Sequence, residues 1–130
     1  MTPQELMKKA EEARLHSYSP YSGFKVGAAL LCSDGTVYTG CNIENASFTP
    51  TICAERTAIF KAVYDGRRDF TAIAIVGGKG TPDTACAPCG VCRQVMGEFC
   101  TPNFMVYFPD GDGGIVEQPL SSLLPHSFKL

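Results

Sequence analysis

Cys86-Ala-Pro-Cys-Gly-Val-Cys-Arg93 gathers three of the chain's seven cysteines into eight residues. Three uses compete for thiols so crowded: disulfide pairing, a redox couple, or a grip on a metal ion. Cys89 and Cys92 are three apart, so on a helix both sulfurs share one face within reach of one ion. Pro88 stands just before the first thiol and suits the start of a helix. If Cys89 opens a helix running to about Phe99, the flanking apolar runs Thr71–Gly77 and Asn103–Phe108, rich in β-branched and aromatic residues, read as buried strands on either side. The octet then sits where a strand hands over to a crossover helix.

Outward from this unit the remaining elements follow. Pro3 to about Leu15 predicts an amphipathic helix, with Thr2 as N-cap, proline at the first helical position, and Leu6, Ala10 and Ala13 on one side. Tyr18–Gly23 breaks it into a loop. Val26–Cys32 and Thr36–Ile43 form a hairpin about Asp34-Gly35. Cys53 to about Tyr64 reads as a second helix, with Ala54, Ala58, Ile59, Ala62 and Val63 on its apolar face and Asp65-Gly66 as its stop. Gly114–Gln118 is a short edge strand and Leu120–Leu124 a helical turn or two. Helices alternating with five strands predict an α/β fold, a three-layer α/β/α sandwich around a mixed five-stranded sheet.

A chain of 130 residues is long enough to bury a core without covalent staples, and residues 1–130 are expected to form one domain. No stretch reaches the roughly 20 apolar residues of a membrane span. The N-terminal segment lacks the apolar centre of a signal peptide, which leads to the expectation of a cytoplasmic protein. A reducing compartment and an odd number of cysteines both argue against disulfides. The net charge of −2, with no basic run beyond pairs such as Arg67-Arg68, disfavours a nucleic-acid partner.

Zinc takes four ligands in a tetrahedron, and two close thiolates supply half of them. Cys53 is the best third, because it opens the other predicted helix in Thr-Ile-Cys53-Ala-Glu55-Arg56-Thr. Two helix starts aimed at one point favour thiolates there through their free backbone donors and positive dipole ends. Neither His16 nor His126 has ligand-like spacing to the octet, so the fourth position is expected to stay open, as in catalytic zinc sites. Glu55, in the first turn beside such a site, suits a proton carrier. Three thiolates exceed the charge of one zinc ion, and Arg56 is the natural compensator.

Plainer readings compete with this one. A lone CxxC fits a thioredoxin-like pair, but that reading leaves Cys53 and Glu55 unexplained. A structural zinc knuckle is the stronger rival, and it requires a fourth protein ligand. Cys32, Cys41, Cys86 and Cys100 read most simply as thiols without a role.

Cys53-Ala-Glu55 followed by Pro88-Cys89-Gly-Val-Cys92-Arg-Gln resembles the zinc signature of the cytidine and deoxycytidylate deaminase superfamily, in the variant with cysteine as first ligand. Tyr18–Leu30, Gly40-Cys-Asn-Ile-Glu-Asn-Ala-Ser47 and Leu123–Phe128 resemble the small homotetrameric cytidine deaminases, so the likeness spans almost the whole chain. The resemblance implies one Zn2+ per subunit on Cys53, Cys89 and Cys92, and hydrolytic deamination of cytidine and 2′-deoxycytidine in pyrimidine salvage. The implied chemistry is a zinc-bound hydroxide with Glu55 as proton shuttle. It further implies that Phe24 packs against the pyrimidine, that Ala54 belongs to the substrate contacts, and that Asn42 and Glu44 bind the ribose 3′-hydroxyl. Ala46, Phe48 and Phe128 would reach a neighbouring subunit's site in a homotetramer. Blasticidin-type or other aminopyrimidine nucleoside deaminases share the zinc signature and stand as the alternative.

Two departures stand out. Position 48 is Phe where the family pattern has Tyr, so a hydroxyl contact is lost. The Lys79–Ala87 loop also carries an additional cysteine, Cys86.

Overall fold

A computed structural model describes residues 1–130. Five strands form one sheet in the order β2-β1-β3-β4-β5, with β1 at Lys25–Cys32, β2 at Val37–Cys41, β3 at Phe70–Gly78, β4 at Met105–Pro109 and β5 at Ile115–Pro119. Four helices, α1 (Pro3–Arg14), α2 (Ala54–Tyr64), α3 (Gly90–Phe99) and α4 (Leu120–Leu123), complete it. β3 and β4 pair in parallel and the other neighbours antiparallel, which makes the sheet mixed. The parallel pair requires a crossover, and α3 supplies it.

Both faces of the sheet are covered, and the strands alternate between them. Ala28, Leu30, Ile73, Ile75, Val106 and Phe108 pack with α2 and α3 residues such as Ala58, Ile59, Cys92 and Met96. Ala29, Ala72, Ala74 and Val76 point the other way, onto Leu6, Met7 and Ala10 of α1. This is why β1 and β3 read as continuous apolar runs and not as alternating ones. The three-layer expectation is met.

Local chemistry sets the ends of the elements. Thr2 and Glu5 form a reciprocal capping box at α1, each side chain accepting from the other's backbone N–H. Two glycines allow helices to sit directly on strands. A methyl group on Gly27 would lie 2.0 Å from the Ala10 carbonyl oxygen, and one on Gly40 would lie 2.5 Å from Ala58 N and 2.6 Å from Ala54 O. α1 and α2, the second of which carries Glu55, are therefore in backbone contact with the hairpin.

Two boundaries differ by two residues from the expected ones, and the others by no more than one. β2 stops at Cys41, because Ile43 leaves the hairpin to bridge Tyr18 and Ile52. β4 begins at Met105, because Phe104 N donates to Thr101 O in a turn while its ring is buried at 1% exposure. No helix is long and apolar enough to cross a membrane.

Candidate metal centre and active site

The two helix starts meet. Cys53 is the N-cap of α2 and Cys89 the N-cap of α3, both in extended backbone, and their Sγ atoms stand 3.7 Å apart. Cys92, at the third position of α3, donates its backbone N–H to Cys89 Sγ at 3.4 Å. The three sulfurs lie within 4.8 Å of one another, and neither histidine joins them. With Zn–S bonds of about 2.3 Å, sulfurs at two corners of a tetrahedron are about 3.8 Å apart, close to the spacing of Cys53 and Cys89. Soft sulfur donors at that spacing fit Zn2+.

Charge at the centre is unevenly shared. The neighbouring Cys92 thiol, and Arg56 Nη2 donating to Cys53 Sγ at 3.4 Å, outweigh burial and lower the Cys53 thiol to about 5. Cys92 is raised, first because it keeps the proton it shares with Cys53 and then by burial. The remaining sulfurs behave differently: burial pushes Cys86 and Cys100 up to about 12, and it also raises Cys32 and Cys41. Those four are small apolar groups and not thiolates.

Glu55 lies in the first turn of α2 at 4% exposure. Burial raises its carboxyl to about 7; its own backbone N–H opposes the rise and the negative Cys53 adds to it. A carboxylate so buried beside sulfur ligands is costly to keep charged and well placed to exchange protons with whatever occupies the centre. Ala54, between Cys53 and Glu55, is fully buried.

Phe24 ends the loop before β1, and Asn42 and Glu44, just after β2, bind that loop. Asn42 Oδ1 accepts from Ser17 Oγ and from Val26 N at 2.9 Å, and its Nδ2 donates to Phe24 O at 2.8 Å. Glu44 accepts from the backbone N–H groups of Tyr21 at 2.9 Å and Ser22 at 3.1 Å, and from the Ser22 hydroxyl. The sequence alone shows only that an amide and a carboxylate here need partners. The structure supplies several from within the chain, and in doing so fixes the Tyr18–Phe24 loop that presents Phe24. Ala46, Phe48 at 79% and Phe128 at 67% exposure lie on the surface of the chain.

Three residues near the centre had no role in the sequence reading. Arg93 donates to Pro88 O at 2.8 Å and to Leu123 O at 3.1 Å, tying the second thiol segment to the C-terminal segment. Arg14, buried at 6%, donates to Gly78 O at 3.1 Å and Gly80 O at 3.0 Å, where the chain leaves β3 towards the octet. Cys86 packs beside Phe24 over Gly77. Arg93 and Cys86 could have been suspected from their places at the two ends of the octet, whereas nothing local marks Arg14.

Helix starts that bring three thiols and a buried carboxylate to one edge of a mixed sheet define a metal-dependent hydrolytic centre. The family model for the "Cytidine and deoxycytidylate deaminase zinc-binding region" matches residues 1–108. The chain belongs to this zinc-binding family. It is 49% identical to the cytidine deaminase of Sporosarcina psychrophila, over 98% of this chain and 92% of that protein. It is 52% identical to that of Halalkalibacterium halodurans, over 98% of this chain and 95% of that protein. The crystal structure of cytidine deaminase from Burkholderia pseudomallei superposes with a TM-score of 0.90 at 46% identity, covering 98% of this chain and all of that one.

Proposed function

We propose that this chain is a zinc-dependent cytidine deaminase, converting cytidine and 2′-deoxycytidine to the uridine products and ammonia. The carrying observation is the convergence of Cys53, Cys89 and Cys92, three sulfurs within 4.8 Å, beside the buried Glu55. Full-length identity to cytidine deaminases of 49% and 52% favours this reading over a blasticidin-type or other aminopyrimidine nucleoside deaminase. A structural zinc knuckle would need a fourth protein ligand, which the three-sulfur cluster does not include.

Cys53, Cys89 and Cys92 would hold Zn2+, which would supply the Lewis acidity that activates water there. Glu55 takes the proton of the attacking water and delivers it to ring nitrogen 3, which makes carbon 4 electrophilic. Once the water oxygen has bonded to carbon 4, Glu55 carries the remaining proton of that hydroxyl to the exocyclic nitrogen; the carbon–nitrogen bond breaks, the carbonyl forms, and ammonia departs and not an amide anion. Arg56 offsets the excess negative charge of the thiolates through Cys53. Phe24 stacks on the base, and Ala54, fully buried, fills the space between Cys53 and Glu55 beneath it.

Hydrogen-bond capacity supports the ribose assignment. Asn42 has committed both carbonyl lone-pair sites and one of its two N–H donors, while Glu44 has committed three of its roughly four acceptor sites. One donor and one acceptor remain. A single sugar hydroxyl uses one of each.

The active assembly is a homotetramer in which Ala46, Phe48 and Phe128 complete a neighbour's site. We place it in the cytoplasm, in pyrimidine salvage, with residues 1–130 acting as one deaminase domain. The test is direct: purified protein is given cytidine, deoxycytidine, a cytosine oligonucleotide and blasticidin S while ultraviolet absorbance is followed. Turnover of the two nucleosides is expected; turnover of only the oligonucleotide or blasticidin S would overturn the proposal.

A further inference from the structure

We infer that Cys86 is a specificity-determining residue, forming the wall of the base pocket against the C5 edge of the pyrimidine and setting how large a 5-substituent is admitted. The inference rests on the cytidine deaminase reading.

Geometry places the thiol beside Phe24. A methyl group on Gly77 would lie 2.8 Å from Cys86 Sγ and 2.9 Å from Phe24 Cε1, so sulfur and ring converge over the same glycine. Cys86 also packs against the core cluster that Cys53 borders. Cys86 therefore lies beside the ring that contacts the base and on the same core as Cys53 of the centre. Burial first, with the charges of Glu55 and Cys53 adding to it, holds the thiol protonated.

Pyrimidine chemistry then selects the edge. Glu55 must face nitrogen 3 to deliver its proton, and carbon 4 must face the centre, which commits one side of the ring to polar partners. Phe24 takes a ring face. The C5–C6 edge offers neither donor nor acceptor, so the group beside it should be apolar. A protonated, half-buried cysteine behaves as a small hydrophobe of that kind. Its short loop is tied to the sheet by Thr84 N donating to Gly77 O at 3.3 Å, which keeps the sulfur over Gly77.

An apolar pocket wall discriminates one methyl-sized group by roughly tenfold or more. The experiment compares kcat/KM for 5-methylcytidine and cytidine in the parent, Cys86→Ala and Cys86→Leu, with bound zinc measured in each. Calorimetric Kd values for 5-methyluridine and uridine give a second reading without turnover. The 5-methyl to unsubstituted ratio is expected to rise about tenfold in C86A and to fall in C86L, in both turnover and binding, with zinc unchanged. Ratios within twofold of the parent in both variants, while the parent deaminates cytidine, would overturn the assignment of Cys86 and leave the proposed function standing. A parent with no action on cytidine would instead remove the functional reading, and this inference with it.

Discussion

A carboxyl group at 4% exposure beside three sulfurs costs the fold stability wherever it lacks hydrogen-bond or charge partners. Glu55→Gln keeps the shape of the side chain and removes its ability to carry a proton. Turnover of cytidine is expected to fall by about 10²- to 10⁴-fold or more, with zinc per chain unchanged and the melting temperature no lower than the parent's. Activity within tenfold of the parent would take Glu55 out of the mechanism. The neighbouring Arg56 allows a separate test of charge. Its guanidinium lies 3.4 Å from Cys53 Sγ and favours the thiolate, so its loss raises the proton affinity of that sulfur. Protons compete with metal for thiolates. Zinc release on acidification is therefore expected to shift to higher pH in Arg56→Gln, with zinc affinity at neutral pH weaker by roughly tenfold against a competing chelator. An unchanged release curve would show that the arginine does not balance the sulfurs.

The elements that bring these residues together depend on close backbone contacts. In Gly40→Ala the added methyl would fall within hydrogen-bonding distance of Ala58 N and Ala54 O, forcing α2 away from β2. A loss of about 1–3 kcal/mol in urea unfolding is expected, together with weaker zinc binding, because the displaced turn carries Cys53 and Glu55. Normal zinc affinity in a destabilised variant would mean that α2 tilts without moving its first turn. The starts of α2 and α3 could be read from the sequence because their signals are local: a cysteine ahead of an apolar helical pattern, with Pro88 before one of them. The three layers could be read too, since β1 and β3 are apolar on both faces. What could not be read depends on residues far apart in the chain. Arg14 finds its carbonyl partners 64 and 66 residues away, and Cys86 meets Phe24 only once β3 brings Gly77 beneath both. Phe104 looks like strand because hydrophobicity cannot distinguish a buried strand residue from a buried turn residue. Asn42 and Glu44 are marked in sequence as polar groups in need of partners, but the loop that satisfies them becomes visible only in three dimensions.

For the whole molecule, the proposed site needs more than one chain. Phe48, Tyr64 and Phe128 are large, apolar and more than two-thirds exposed, at 79%, 91% and 67%. Singly such residues are ordinary, but Phe60 and Ile43 add to Tyr64 around a groove with Ile52 and Tyr38, an apolar surface suited to another protein surface. If Phe128 of one subunit completes the site of the next, a site needs Glu55 from one chain and Phe128 from another. Glu55→Ala lacks the first everywhere, and Phe128→Ala lacks the second everywhere. When the two variants are unfolded together and refolded as a mixture, some sites receive an intact Glu55 and an intact neighbouring Phe128. The mixture is expected to exceed the summed activity of the separately refolded variants several-fold, and sedimentation should show a species of four chains. Activity equal to that sum, in a mixture that still sediments as a tetramer, would mean that each chain builds its site alone and that Phe128 serves only to hold the subunits together.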